Sequence, residues 1–447
     1  MNRYLPHSPR LGLLLAGADA LAMAVALWLA HLLRFSASLR SAKLAALLDR
    51  PAFLVVALLA LWALAVAAEL YEVVVLRRGI KAASRLAVVA LSWAGTLALA
   101  TYLVPTWEFG RGLLVLTGLL WGGGAALVRW GVVRWVTSRP RPLALVVGEG
   151  AAVAALVRRL QHDPTAPWEG VDGAGVAPAE LGKEVQARGA AMVIVAGQGG
   201  GVQGLPELSA LHFSGVPVVL GSEVIAWLEG RLPLDAMAPE AFLHQPGFAA
   251  VHSQTFNRVT RVLDIVLGAV GAVGTLPLLL LAMVLVRVLD GRPVIFRQVR
   301  LGQYGRPFTL YKLRTMRRDA EENGPAFALP DDPRATRLGR VLRRLRIDEL
   351  PQLVNVLKGE MSLVGPRPER PEFAVELARE IPYYAFRLVV PPGLTGWSQI
   401  SMPYARTVAE HRQKLEYDLY FIRERSLRLY LVTLLRTATA ALRGRGE

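Results

Sequence analysis

Residues 265–286 read IVLGAVGAVGTLPLLLLAMVLV, and this stretch decides the architecture of the chain. It is uncharged and, as a helix, long enough to cross about 30 Å of hydrocarbon. Pro277 interrupts it, because proline removes one helical hydrogen bond and clashes with the carbonyl four residues earlier, at Val273. Glycines at positions 268, 271 and 274 precede the proline. The pattern predicts a membrane helix over about 262–289 that is broken at Gly274–Pro277.

Each side of the predicted break is too short to span a bilayer alone. Ile265–Leu276 would be about 18 Å long and Pro277–Val286 about 15 Å at the α-helical rise. A helix bent there enters and leaves the membrane by the same face, and arginines on both flanks suit one anionic leaflet: Arg258, Arg261, Arg287 and Arg292. The alternative is a fifth spanning helix, since proline kinks also occur in spanning helices. That alternative places all later residues on the opposite face.

Four further apolar stretches lie in the first third of the chain. They are Leu11–Leu33, Ala52–Leu70, Leu86–Val104 and Leu113–Val136. Each is long enough to cross hydrocarbon, so residues 1–142 are predicted to form a transmembrane four-helix bundle. Asp19 lies within the first stretch, where an acidic residue either has a function or faces headgroups or a neighbouring helix.

Basic residues in the loops set the predicted orientation of these spans. They cluster before the first span, between the second and third, and after the fourth: Arg3, Arg10, Arg77, Arg78, Lys81, Arg85, Arg134, Arg139 and Arg141. Positively charged loops stay in the cytoplasm, so both ends of the bundle and the rest of the chain are predicted to be cytoplasmic. The loop between the first two spans departs from this rule, because it carries Arg34, Arg40, Lys43 and Arg50.

Composition excludes several classes of protein. The chain has 447 residues, no cysteine, a formal net charge of +16, 53% hydrophobic residues and a mean hydropathy of +0.37. Disulfide frameworks and cysteine-ligated metal sites are therefore impossible, and the apolar content is too high for a disordered chain. The basic excess lies in the two regions with long apolar runs, which favours lipid headgroups or phosphorylated substrates over nucleic acid as partners.

Residues 143–250 are predicted to form a Rossmann-like α/β domain with a parallel sheet. Leu143–Val147, Ala190–Ala196 and Val216–Leu220 resemble buried strands, and Ala151–Leu160 resembles a helix. Gly148-Glu149-Gly150 begins a dinucleotide-binding fingerprint whose third glycine is replaced by Val153, so the domain either binds a nucleotide or is a scaffold without one. No tyrosine is followed four residues later by lysine, which disfavours a nucleotide-sugar epimerase or dehydratase.

The last part of the chain concentrates charged motifs. The first motif is Lys312-Leu313-Arg314-Thr315-Met316, and a run of arginines over 337–346 comes after it. Two more motifs follow, Asp348-Glu349-Leu350-Pro351-Gln352 and Gly365-Pro366-Arg367-Pro368. Adjacent carboxylates can supply a nucleophile and a Mg²⁺ ligand, while arginine and lysine hold phosphate oxygens. The alternatives are that the acidic pair only begins a helix and that the arginines only face solvent or headgroups.

Two further motifs follow in the same region: Asn355-Val356-Leu357-Lys358-Gly359 and Pro392-Gly393-Leu394-Thr395-Gly396-Trp397. In residues and in order, the whole set resembles the bacterial sugar transferase family, the monotopic polyprenyl-phosphate phosphoglycosyl transferases. The resemblance covers roughly residues 255–447. It implies that residues 251–447 form a mainly helical monotopic core, held by a re-entrant membrane helix that breaks near a proline, which Pro277 matches. The preceding spans and α/β domain resemble large members that begin exopolysaccharide or O-antigen synthesis.

The resemblance also implies site residues. Asp348 matches the nucleophile, which attacks a nucleoside diphosphate sugar to give a phosphosugar–aspartyl intermediate, and Glu349 matches its Mg²⁺-coordinating partner. Arg367 and Arg387 match positions expected to hold phosphates. Lys312, Arg314 and Asp418 match further substrate-binding positions without a defined role.

Polyprenyl phosphate would then accept the phosphosugar, and a UDP-sugar donor would release UMP. The expected setting is the inner membrane of a bacterium, with the catalytic domain on the cytoplasmic face, in contact with membrane lipids and in a possible homodimer. Residues 398–404 depart from the family pattern, which leaves the sugar open, and residues 420–436 suit an amphipathic interfacial helix. The other function considered is a membrane scaffold or regulatory protein with an inactive core.

Overall fold

The computed structural model describes residues 9–442, with gaps at 69, 72–78, 105–106, 108–109, 139, 149, 164–165, 198–203, 237–241, 243–245, 250, 252, 321, 323 and 325–331. The described residues up to 221 form one compact unit, and those from 222 onward form a second. Some residues of the predicted basic loops and of the glycine fingerprint lie outside the described residues: Arg3, Arg77, Arg78, Arg139 and Glu149.

The first unit begins with apolar helices of the kind found in membrane proteins. They are α1 (Pro9–Arg34), α2 (Ala37–Leu48), α3 (Pro51–Ala67), α4 (Gly79–Leu103) and α5 (Arg111–Thr137). By length and composition, α1, α4 and α5 could each cross a membrane. The second predicted span corresponds to α3, which joins α2 at a bend of 78°, so that the two helices together could form one broken span.

The segment between the first two predicted spans, whose positive charges depart from the cytoplasmic-loop rule, is largely helical. Arg40 and Lys43 lie within α2, and Arg40 donates from Nη2 to the carbonyl oxygens of Leu32 and Phe35. These carbonyls are at the end of α1, where a helix leaves its last acceptors unpaired. Arg40 therefore satisfies a helix end, a task that the count of loop charges could not reveal.

Asp19 faces a neighbouring helix. Its two carboxylate oxygens each accept a 2.8 Å hydrogen bond from Arg129 of α5, and Oδ2 also accepts one from the Tyr71 hydroxyl at 2.9 Å. Asp19 and Arg129 are both buried. The pair joins α1 to α5, as expected for an intramembrane charge that is neutralised by a partner.

A parallel sheet follows the membrane helices. Its strands β1 (Leu143–Gly148), β2 (Glu169–Asp172), β3 (Met192–Ala196) and β4 (Val218–Leu220) lie in the order β2-β1-β3-β4. The intervening helices are α6 (Gly150–His162), α7 (Leu181–Arg188) and α8 (Leu205–Phe213). This is a doubly wound strand order. The strand β2 was not predicted.

Gly148 has a structural reason to be glycine. Its φ of +133° is unfavourable for other residues, and a Cβ atom there would lie 1.8 Å from the carbonyl oxygen of Ala196. Close packing of β1 against β3 therefore requires this glycine whether or not a nucleotide binds.

The predicted boundary at residue 250 does not coincide with the packing. Residues from 222 onward belong to the second unit, where Ala226, Leu232 and Leu234 lie in its hydrophobic core. The Trp397 indole donates to the carbonyl oxygen of Gly230 at 2.7 Å. Helix α9 (Gly221–Glu229) and the short α10 (Pro246–Ala249) precede the long membrane helix.

That long apolar helix, α11 (Gln254–Leu289), is continuous through Pro277, and by length and composition it could cross a membrane. The structure thus has one helix where the sequence predicts two halves. Both halves pack against the rest of the second unit. Asp264 accepts hydrogen bonds from the Leu363 amide and from the Ser362 and Tyr430 hydroxyls, and Val286 lies in one apolar cluster with Leu313 and Leu342. Contacts on both sides of the proline stabilise the helix, so that one missing hydrogen bond does not end it.

The remaining elements form the body of the second unit. They are β5 (Ile295–Leu301), β6 (Pro307–Leu313), α12 (Arg337–Arg344), a 3₁₀ helix (Ile347–Gln352), α13 (Leu353–Lys358), β7 (Ser362–Val364), α14 (Pro371–Glu380), a 3₁₀ helix (Tyr384–Val389), β8 (Gly393–Thr395), α15 (Trp397–Ser401), α16 (Val408–Arg423) and α17 (Leu427–Leu442). Strands β5 and β6 pair antiparallel, and β7 and β8 pair parallel.

Candidate active site

A cavity of about 900 Å³ lies within the second unit. The basic side chains in its lining outnumber the acidic ones, and they are Arg300, Lys312, Arg314, Arg317, Arg318, Arg334, Arg340, Arg343, Arg344, Arg346, Arg367, Arg370 and Lys414. Its acidic lining residues are Asp332, Asp348, Glu349 and Glu369. A cavity of this size suits a small-molecule ligand, and the excess of cations favours a ligand with several phosphate charges.

The adjacent acids Asp348 and Glu349 lie on the 3₁₀ helix Ile347–Gln352, and both are buried. The residue before this helix, Arg346, is in the left-handed region with φ of +58°. This conformation costs a non-glycine residue about 1–2 kcal/mol. It turns the chain sharply from α12 into the 3₁₀ helix, so that both carboxylates reach the cavity wall.

Glu349 is surrounded by cations. Its Oε1 accepts hydrogen bonds from Lys312 Nζ at 3.1 Å and Arg367 Nη2 at 2.8 Å, and its Oε2 accepts one from Arg346 Nη1 at 3.3 Å. Burial opposes ionisation of Glu349, but the charges of Lys312, Arg367 and Arg346 outweigh it and hold its pKa well below the usual value. The ionised form of Glu349 is therefore favoured, and its carboxylate is placed to hold three cations.

Asp348 differs from its neighbour. Within the described part of the chain, its carboxylate accepts no hydrogen bond and forms no ion pair. Burial, helped by the negative charge of Glu349, raises its pKa although Lys312 acts in the opposite direction. Two adjacent carboxylates whose environments drive their pKa values apart are a common sign of different chemical roles.

Glycines in two motifs bring Arg367 to Glu349. Gly365 donates from its amide to the carbonyl oxygen of Thr395, and Gly393 donates to the carbonyl oxygen of Pro366, both at 2.9 Å. A Cβ atom at Gly393 would lie 2.1 Å from the Gly365 nitrogen. Only glycine permits this approach of the two chain segments, which directs the following Arg367 toward the acidic pair.

Arg387 and Asp418, both expected to contact substrate, instead face each other away from the cavity lining. Arg387 donates from Nε and Nη2 to Asp418 Oδ2 at 3.0 and 2.7 Å, and both residues are almost fully buried. Arg387 Nη2 also donates to the carbonyl oxygen of Arg367, and Ser398 donates to Asp418 Oδ1. The pair supports the segment that carries Arg367.

Arg314 also makes structural contacts. It donates from Nη1 to the carbonyl oxygen of Arg292 and from Nη2 to those of Asp290 and Gly291, at the end of α11. The structure thus brings Asp348, Glu349, Lys312 and Arg367 together, and Arg314, which also lines the cavity, holds the end of α11.

Two cavity residues were not singled out from the sequence. Glu369 accepts from Lys414 Nζ at 2.5 Å and Arg387 Nη1 at 3.4 Å, and despite burial these cations hold its pKa well below the usual value. Its place directly after Gly365-Pro366-Arg367-Pro368 was the available signal. Burial lowers the pKa of His411 to about 4, so that this lining residue is neutral near pH 7.

The acidic pair could hold a divalent cation only with help. No group of three or more His, Asp or Glu that could bind a metal occurs among the residues the structure describes. Mg²⁺ is often held by one or two carboxylates together with substrate phosphates. Asp348 and Glu349 supply that type of hard oxygen donor, so the residues fit Mg²⁺ when a bound diphosphate completes its coordination.

Comparison with known proteins identifies the second unit. The family model described as bacterial sugar transferase matches residues 255–444. A UDP-N-acetylgalactosamine-undecaprenyl-phosphate N-acetylgalactosaminephosphotransferase of Aeromonas hydrophila is 38% identical over 232 residues, which cover 52% of this chain and 53% of that protein. The chain therefore spans about half the length of this relative.

Two further relatives are named for glucose. The UDP-glucose:undecaprenyl-phosphate glucose-1-phosphate transferase of Caulobacter vibrioides is 44% identical over 186 residues, which cover 41% of this chain and 69% of that protein. The protein of the same name in Escherichia coli is 38% identical over 169 residues, 37% of this chain and 36% of that protein. The names of these relatives differ in the sugar and agree in undecaprenyl phosphate.

Proposed function

The chain belongs to the bacterial sugar transferase family, and on that premise we propose that it transfers a sugar 1-phosphate from a UDP-sugar to undecaprenyl phosphate, releasing UMP. The observation that carries this proposal is the contrast between Asp348 and Glu349. Within the residues that the structure describes, the buried Asp348 carboxylate has no partner, whereas Glu349 beside it is fixed by Lys312, Arg346 and Arg367, and further cations line the same cavity.

The contrast suits a two-step transfer. In the first step, Asp348 attacks the β-phosphorus of the donor; a bond forms between its carboxylate oxygen and that phosphorus, and the bond to the UMP oxygen breaks. In the second step, an oxygen of undecaprenyl phosphate attacks the same phosphorus, and the Asp348 carboxylate leaves. Lys312 and Arg367 stabilise charge on the phosphoryl oxygens.

We also propose Mg²⁺ as the cofactor, held by Asp348, Glu349 and the donor phosphates. The ion would supply charge neutralisation at the diphosphate when bound. Support comes from the adjacency of two buried carboxylates on the wall of a cavity in which basic residues outnumber acidic ones.

The geometry of α11 supports a re-entrant arrangement in the inner membrane. Many apolar side chains of α11 are exposed because they do not contact the rest of the second unit, among them Val270, Val273, Leu281 and Val288. The unit nevertheless packs against residues on both sides of Pro277. A helix that crossed the bilayer would separate these two sets of contacts, so we infer that both ends of α11 lie at one leaflet, on the cytoplasmic face.

Cysteine labelling tests this topology directly, because the natural chain contains no cysteine. Single cysteines replacing Arg258 and Arg292, on either side of α11, are expected to react with a membrane-impermeant maleimide in inside-out vesicles. Neither is expected to react in intact spheroplasts until the membrane is permeabilised. Labelling of the two positions from opposite sides would show a spanning helix.

A panel of UDP-sugars tests the function. Purified protein in nanodiscs with undecaprenyl phosphate and Mg²⁺ is expected to release UMP with at least one of UDP-glucose, UDP-galactose, UDP-N-acetylglucosamine or UDP-N-acetylgalactosamine, and to form a lipid-linked diphosphate sugar. Release of free sugar 1-phosphate without a lipid product, or no UMP with any donor, would contradict the proposal. The second outcome would favour an inactive scaffold.

A further inference from the structure

Helix α12 (Arg337–Arg344) lies beside the cavity and against the membrane helix. Its Leu338 and Leu342 belong to the cluster that contains Ala282 and Val286, in the part of α11 after Pro277. Along the same helix, Arg340, Arg343 and Arg344 line the cavity. One short helix therefore contacts both the membrane helix and the space where phosphoryl chemistry is proposed.

The start of α12 is fixed at the end of α11. The Thr336 hydroxyl donates a hydrogen bond to Asp290 Oδ2 at 2.9 Å. Its Oγ1 atom also accepts a hydrogen bond from the Gly339 amide at 2.8 Å. A Cβ atom at Gly339 would lie 2.0 Å from the carbonyl oxygen of Thr315, so the helix packs closely on the chain after β6. The arginines of α12 are thus held at a defined place relative to the membrane helix.

These arginines differ from the cavity cations that have acidic partners. Lys312, Arg346 and Arg367 pair with Glu349, and Lys414 pairs with Glu369. By contrast, the guanidinium groups of Arg340, Arg343 and Arg344 form no hydrogen bond or ion pair within the described part of the chain. Several uncompensated guanidinium groups on one wall attract an anion from outside, and phosphate is the anion they fit best.

We propose that Arg340, Arg343 and Arg344 bind the phosphate of the lipid acceptor, at the point where the chain of that lipid leaves the bilayer beside α11. This inference rests on the proposed function and names the acceptor subsite within it. A lipid monophosphate must place its phosphate at Asp348 while its isoprenoid chain stays in hydrocarbon. Helix α12 combines an apolar contact with α11 and cations that have no partner among the residues the structure describes.

Apolar side chains on α12 fit the same ligand. Val341 and Leu345 are about half exposed and lie between and after the arginines. Arg343 and Asp348 line the same cavity, which places this wall beside the proposed nucleophile. The acceptor phosphate would therefore meet the phosphosugar–aspartyl intermediate from the membrane side.

Separating the two half-reactions tests the proposal. The variant is Arg340→Gln/Arg344→Gln, which spares Arg343 beside Asp348, and its control is Arg337→Gln, on the same helix but outside the cavity lining. Each protein is placed in nanodiscs of phosphatidylethanolamine and phosphatidylglycerol, with the UDP-sugar that the unmodified protein uses. Donor alone gives the UMP burst of the first step, and added undecaprenyl phosphate gives steady-state turnover.

The double variant is expected to keep the donor-only burst and to raise the KM for undecaprenyl phosphate about 10-fold or more, since two charge-assisted contacts to the acceptor phosphate are lost. The same rise is expected with a short, water-soluble polyprenyl phosphate in detergent. A weakened burst would assign the arginines to the donor, and a defect that vanishes with the soluble acceptor would assign them to bilayer headgroups. Either result would overturn the proposal, whereas absence of the burst in the unmodified protein would instead overturn the proposed function.

Discussion

Replacement of Asp348 by asparagine is expected to lower turnover by about 10⁴-fold or more, as loss of an essential nucleophile does in other enzymes. Asparagine keeps the size of the side chain but cannot form the acyl phosphate bond. The fold is expected to persist, because the Asp348 carboxylate makes no hydrogen bond within the described structure. Burial raises the pKa of Asp348 and so penalises its charged form, so a neutral amide is expected to leave the thermal midpoint unchanged or slightly higher.

The measurement is UMP release in nanodiscs, together with thermal denaturation of each protein in detergent. Asp319→Asn is the matched control, because Asp319 is an exposed aspartate of the same unit. Release of UMP by the Asp348 variant at the rate of the control would remove the nucleophile assignment. Loss of activity together with a large drop in thermal midpoint would indicate misfolding instead.

Replacement of Glu349 by glutamine is expected to lower the rate of the first step by about 10²-fold, the scale seen when one fixed electrostatic group is removed. Glu349 is the shared anion of Lys312, Arg346 and Arg367. Without its charge these cations repel one another, and the positions that hold the donor phosphates change. The Mg²⁺ ligand proposed at this residue is lost as well.

The same variant has a pH signature. Asp348 must be ionised to attack, so activity falls as the pH drops through its raised pKa. The charge of Glu349 contributes to that rise, so its removal is expected to shift the acid limb of single-turnover UMP release to lower pH. Glu380→Gln, at an exposed glutamate, serves as the control. An acid limb that stays in place or shifts to higher pH would show that the two carboxylates do not interact as described.

Sequence patterns predicted much of the fold because apolar periodicity reports burial. The strands β1, β3 and β4 are apolar runs and were found within a few residues. The strand β2 reads Glu169-Gly170-Val171-Asp172, which has neither alternation nor an apolar run, and it exists because its backbone pairs with β1. Likewise, no change in composition marks residue 222, where packing passes from one unit to the other.

The candidate site was less predictable, because a motif fixes residue types but not their partners. Asp348, Glu349 and Arg367 come from motifs that the structure brings together. The role of Arg387 depends on Asp418, whose carboxylate it meets only after folding brings two distant segments into contact. Arg314 lies in the same motif as Lys312 yet points to the carbonyls that end α11. Whether a guanidinium group meets substrate or protein is decided by tertiary packing.

Pro277 gives the same lesson for the membrane helix. Three preceding glycines and the proline predict an interruption, and local propensity supports that prediction. The helix continues because residues before and after Pro277 are held by the same unit. A re-entrant arrangement therefore depends on these tertiary contacts and does not require the helix to be interrupted at Pro277.

Mass spectrometry of the protein after incubation with donor alone tests the central claim most directly. With the UDP-sugar that supports turnover and no polyprenyl phosphate, one equivalent of UMP and a phosphosugar adduct on the peptide that contains Asp348 are expected, and added undecaprenyl phosphate should discharge that adduct. UMP release that requires the lipid, with no modified peptide at any time, would contradict a covalent intermediate on Asp348.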